Sequence, residues 1–149
     1  MKLIRCVLTM AVLGIVISAS AQPYDHAAGI RAGYSSGFTY KGFLLHRMSA
    51  IGFDVLYNPN GLNISAMYLM HAEPSRKGNW LLYAGGGPMA GTWDDYFSAG
   101  IIGIVGIEYY LRDLPLTFGF EWKPMLGVYR FTHYDLLDFG FSIRYRFSL

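Results

Sequence analysis

The run Phe139-Gly-Phe-Ser-Ile-Arg-Tyr-Arg-Phe147 decides the fold class. Side chains alternate across a strand, so Phe139, Phe141, Ile143, Tyr145 and Phe147 share one face. Gly140, Ser142, Arg144 and Arg146 share the other. The segment is greasy on one side and small or cationic on the other. The same period of two recurs upstream. Leu116, Phe118, Phe120 and Trp122 oppose Thr117, Gly119, Glu121 and Lys123. Val105, Ile107, Tyr109 and Leu111 oppose Gly106, Glu108, Tyr110 and Arg112. Ile51, Phe53, Val55 and Tyr57 oppose Gly52, Asp54 and Leu56, and the run from Leu62 to Met70 alternates likewise.

Ala28 to Ser36 and the glycine-rich Trp80 to Gly91 read as further strands. An eighth is expected within Met125 to Tyr134, after Pro124. Asn58-Pro59-Asn60-Gly61 and Arg112-Asp113-Leu114-Pro115 are turn signals. Longer polar joins are expected at Glu73 to Asn79, Gly91 to Ser98 and Gly37 to Arg47. No run after residue 21 is apolar for the ~20 residues a membrane helix needs.

The first 21 residues read as an export signal. Lys2 and Arg5 precede the apolar stretch Val7 to Ile17, and Ala19-Ser-Ala21 supplies small residues for cleavage before Gln22. Cys6, the one cysteine, lies in this segment, so residues 22–149 offer no disulfide, thiolate ligand or thiol nucleophile. The chain's formal net charge of +2 also belongs to it. Without Lys2 and Arg5, ten basic residues balance ten acidic ones, which excludes the strongly basic face of a nucleic-acid binder.

Two barrels share this alternation, and they differ in which face points in. Arg31, Asp54, Glu108, Arg112, Glu121, Lys123, Arg144 and Arg146 recur opposite the aromatics, with glycine and serine between them. A narrow eight-stranded interior filled by side chains suits small residues and opposite charges. Charges there should pair. The aromatic and aliphatic faces suit lipid and its interfacial belts. The expectation is an all-β, antiparallel, up-and-down transmembrane barrel of eight strands over residues 22–149.

The chain resembles the small outer-membrane β-barrel proteins of Bacteroidota, an OmpA/OmpX-like class. The resembling stretches are Gly29 to Phe38, Tyr83-Ala-Gly-Gly-Gly87, Gly106-Ile-Glu-Tyr109, Pro115 to Pro124 and Ile143-Arg-Tyr-Arg-Phe147. The resemblance implies residence in the cell outer membrane, contact with its lipid, and insertion by the outer-membrane assembly machinery. That machinery would read Tyr145 and Phe147, although Ser148 and Leu149 follow here.

Residues for chemistry are sparse. His26, His46, His71 and His133 are present, and His71 with Glu73 or His133 with Asp135 could form a base and its orienting acid. No serine stands near either pair at a motif spacing, and strand ends and loops account for the histidines. No paired-His metal motif exists, Asp94-Asp95 reads as a solvated turn, and the glycines at Gly85 lack the Lys of a phosphate loop. The expected role is non-enzymatic, without cofactor or metal: a barrel with a charge-paired interior and loops for structural, adhesive or extracellular-ligand contacts. A lipid-modifying barrel enzyme and a narrow channel are the alternatives.

Overall fold

The computed structural model describes residues 25–44, 48–74, 78–129 and 132–148. Ala19, Ala21 and Gln22 of the expected cleavage site, and His46, lie outside them. The described residues form strands and turns without a helix. The strands are β1 (His26–Gly33), β2 (Ser36–Phe43), β3 (Ser49–Asn58), β4 (Gly61–Ala72) and β5 (Trp80–Trp93). There follow β6 (Tyr96–Tyr110), β7 (Leu116–Trp122), β8 (Met125–Gly127), β9 (His133–Asp135) and β10 (Phe139–Phe147).

Every pairing is antiparallel. β1 through β6 pair with their sequence neighbours, β6 pairs with β7, β7 with β10, and β10 with β1, so the sheet closes. Eight strand lines make the wall. β8 continues β7, because both pair with β6 in one register: Val105 faces Trp122 and Ile102 faces Met125. β9 leads into β10 through a bulge. Leu136, Leu137 and Asp138 stand on that strand opposite Lys123 and Pro124 on its partner, one residue more, which shifts the phase of the alternation.

Three sequence expectations change. The strand missing from a simple count is β2, which occupies most of the expected join from Gly37 to Arg47. Met125 to Tyr134 is not a separate strand; it holds the end of the seventh line and the start of the eighth. The expected join Gly91 to Ser98 is strand on both sides of a two-residue turn, Asp94-Asp95, with positive φ of 48° and 68°. That is the twist-compatible geometry of tight hairpins.

The tight turns at 34–35, 59–60 and 94–95 lie at one end with the β8–β9 hairpin, here called the turn end. β2, β4 and β6 finish at the other, where the described chain also begins and finishes. Asn58–Gly61 and Arg112–Pro115 are thus at opposite ends. Burial alternates along each wall strand. In β3, Ala50, Gly52, Asp54, Leu56 and Asn58 are buried, while Ile51, Phe53, Val55 and Tyr57 are exposed. The outer surface carries Ile30, Phe38, Phe53, Ile64, Tyr68, Phe118, Phe120, Phe141 and Tyr145, all exposed.

The interior has two halves. The side under β3 to β6 is packed with Ala50, Met67, Leu69, Met89, Ile102 and Ile104, with Met125 against them. The side under β1, β2, β7 and β10 is polar and charged. The interior expected from sequence as polar throughout is therefore only partly so, because long inward side chains from β4 and β5 fill their half with hydrocarbon.

Candidate functional site

The charged half is built around Glu121, which is fully buried on β7. Its register explains how a carboxylate fits there. Tyr83, Gly106, Glu121, Gly140 and Gly33 form one cross-strand row. A Cβ on Gly106 would come within 2.5 Å of the Tyr83 ring, and one on Gly140 within 2.7 Å of the Arg31 guanidinium carbon. The glycines leave the volume that the carboxylate and its partners occupy.

Three cations converge on Glu121. Arg31 Nε lies 3.3 Å from Oε2, Lys123 Nζ lies 3.5 Å from the same oxygen, and Arg144 pairs with Oε1. Tyr83 and Ser142 donate hydroxyl hydrogen bonds to Oε1 at 2.6 and 3.1 Å. The network extends outward. Arg31 also pairs with Asp138 at 2.9 Å, Lys123 with Asp54, and Arg144 with Glu108 at 3.3 Å. Lys41 pairs with Glu108 at 3.0 Å and sits 3.8 Å from the centre of the Tyr83 ring. Thr39 accepts from Arg144, and Ser35 binds both Arg31 and Asp138. Four cations (Arg31, Lys41, Lys123, Arg144) thus meet four anions (Asp54, Glu108, Glu121, Asp138). Removing one partner would leave a buried charge uncompensated, the costly case for interior ions.

Of the residues expected inside, Arg31, Asp54, Glu108, Glu121, Lys123 and Arg144 are buried in this network. Arg112 is not. β6 ends at Tyr110, so Arg112 falls in the following turn, exposed, and donates to Asn79 at 2.8 Å. Arg146 is half-buried at the rim, where its guanidinium donates to the carbonyls of Leu111 and Leu114, the latter at 2.6 Å. Tyr145 points outward, and Phe147 stacks on His26 at 5.4 Å. Lys41 and Asp138 belong to the network without having been expected there. Asp138 was reachable by extending the alternation of β10 back by one residue. Lys41 sits in the run first read as a join.

A second polar cluster lies at the turn end. Ser98 of β6 and His133 of β9 are both buried, and Ser98 Oγ is 3.1 Å from His133 Nε2. Gly127 lies between their strands, and its missing side chain gives the imidazole its place. The Trp93 ring packs 4.3 Å from that of His133. Asp135 is buried on the same face of β9, and Oδ1 accepts from the Leu137 amide at 3.0 Å. Tyr34, in the β1–β2 turn, is also close to Asp135. Partial burial and that carboxylate raise its pKa above the ordinary phenol value. His133 stands at a strand end, as the sequence suggests, and has a serine partner that lies 35 residues away in sequence. His71 is also buried, between the rings of Phe43 and Tyr83 at 4.6 and 5.3 Å. Among the described residues no group of three or more His, Cys, Asp or Glu side chains could hold a metal ion.

Compared with family models, curated proteins and solved structures, the chain matches none.

Proposed function

We propose that the chain is an exported outer-membrane β-barrel of the kind its sequence resembles, with a structural role and a closed interior. The observation that carries this reading is the inverted polarity of the barrel. Aromatic and aliphatic side chains form its outer surface, while eight ionised side chains pair inside it. Water would favour the opposite arrangement. Lipid favours this one, because closure leaves the membrane-spanning wall no unpaired edge and the hydrocarbon meets apolar side chains. The export signal read in residues 1–21 supports the same destination.

The ion-pair network and the methionine-rich packing beside it support a plugged barrel in preference to a channel. In this reading the partners are outer-membrane lipid, the assembly machinery that receives the last strand, and whatever the exposed turns meet outside. The test is cell fractionation with gel electrophoresis of heated and unheated samples. The protein should sediment with outer membranes and migrate differently before and after boiling. Recovery as a soluble periplasmic monomer would overturn the membrane reading.

A further inference from the structure

The network around Glu121 leaves the turn-end cluster unexplained. Asn63 of β4 faces Gly91 of β5, and Gly91 faces Ser98 of β6, so the three form one cross-strand row. By alternation all three turn inward. The Asn63 Nδ2 donates to the Met125 sulfur at 3.3 Å, a weak acceptor, and its Oδ1 is buried without a hydrogen-bond partner. A buried amide so poorly satisfied is unusual in a folded protein. Two strands from Asn63 in that row, Ser98 Oγ stands 3.1 Å from His133 Nε2, and Trp93 packs on the imidazole. A hydroxyl next to a base, with a poorly satisfied amide in the same cross-strand row, is the composition of an acyl-transfer site.

We propose that Ser98 is the nucleophile of an ester-hydrolysing site, with His133 as its base and the Asn63 amide as the donor to the oxyanion. Small carboxylic esters are the substrate class. They enter at the turn end. Ser98 Oγ attacks the ester carbonyl carbon while its proton passes to His133 Nε2. The carbonyl oxygen takes the electron pair of the broken π bond and accepts a hydrogen bond from Asn63 Nδ2. Collapse of this intermediate expels the alcohol oxygen, which takes the proton from His133. Water then attacks the acyl-serine with His133 again as base. The carboxylic acid leaves and Ser98 is restored, so one ester and one water become one acid and one alcohol. The chemistry does not depend on where the barrel resides.

The experiment uses the chain without its export signal, refolded in detergent micelles and verified as folded by heat-dependent gel mobility. An alkyl fluorophosphonate should label it, with the adduct on the peptide that carries Ser98. Hydrolysis of p-nitrophenyl butyrate should accompany the labelling. Ser98→Ala should abolish both. His133→Gln should slow both at least about 100-fold. Asn63→Ala should lower kcat by about 100-fold with little change in KM, because its bond forms only in the transition state. Should Ser98→Ala fail to fold, Ser98→Cys tests the same pair, since residues 22–149 contain no other cysteine. The introduced thiol should react with iodoacetamide faster than in the Ser98→Cys, His133→Gln double variant. A folded wild-type barrel that takes no fluorophosphonate at Ser98 overturns the proposal. So does hydrolysis that survives Ser98→Ala, or a thiol whose reactivity ignores residue 133.

Discussion

Glu121 shows what one side chain carries in this barrel. It receives Arg31, Lys123 and Arg144 while fully buried. Glu121→Leu should lower stability by about 3–5 kcal/mol, because it strands interior cations in a medium that solvates them poorly. Lys41→Met should cost less, since Glu108 keeps Arg144 as a partner at 3.3 Å. Arg112→Ala, on an exposed turn, should change stability by less than about 0.5 kcal/mol. Urea midpoints in detergent would rank the three, and an unchanged midpoint for Glu121→Leu would remove the network from the account of stability. At this scale the network was largely legible in sequence. Asp54, Glu108, Glu121, Lys123 and Arg144 each stand at the inward phase of a clean alternation, and Arg31 stands in a less regular one. The Ser98–His133 pair was not legible, because period places a side chain on a face but does not say which distant strand will face it.

Among the elements, the turn of Asp94 and Asp95 and the inward glycines bear directly on stability. Both aspartates hold positive φ, a conformation glycine adopts without steric cost. Asp95→Gly should therefore stabilise the β5–β6 hairpin by up to about 1 kcal/mol, read as a higher midpoint of unfolding. Gly140→Ala should do the opposite, since its Cβ would meet the Arg31 guanidinium carbon at 2.7 Å. Gly103→Ala serves as the contrast: its nearest neighbour, on Pro124, would be 3.4 Å away. Equal midpoints for the two alanine variants would contradict the close packing of the row around Glu121. The elements that escaped the sequence reading share a physical cause. β2 alternates Phe38 and Tyr40 with Thr39 and Lys41 only briefly between glycines at 37 and 42, and so resembles a join until its neighbours pair with it. The bulge at Leu136–Asp138 inverts the phase between β9 and β10, so no single period spans both. The turn at Asp94 is tight only because β5 and β6 remain in register to their tips.

For the whole molecule, the inside and outside of the barrel have exchanged their usual chemistry. If the interior is plugged as proposed, planar-bilayer recordings of the purified protein should stay near the background of the membrane alone. Steady single-channel steps would favour the channel reading. The sequence by itself determined the strand chemistry: which residues share a face, that one face is greasy and the other small or charged, and that the charges balance. Period two follows from covalent geometry and needs no partner to be read. Tertiary structure decided the rest. Closure of β10 onto β1 turned the faces into an inside and an outside. Register set Glu121 between glycines, so that three cations could reach it. It also drew a serine, a histidine and an asparagine from three strands into one end of the barrel. These are long-range pairings, fixed by how whole strands align, and no local pattern encodes them.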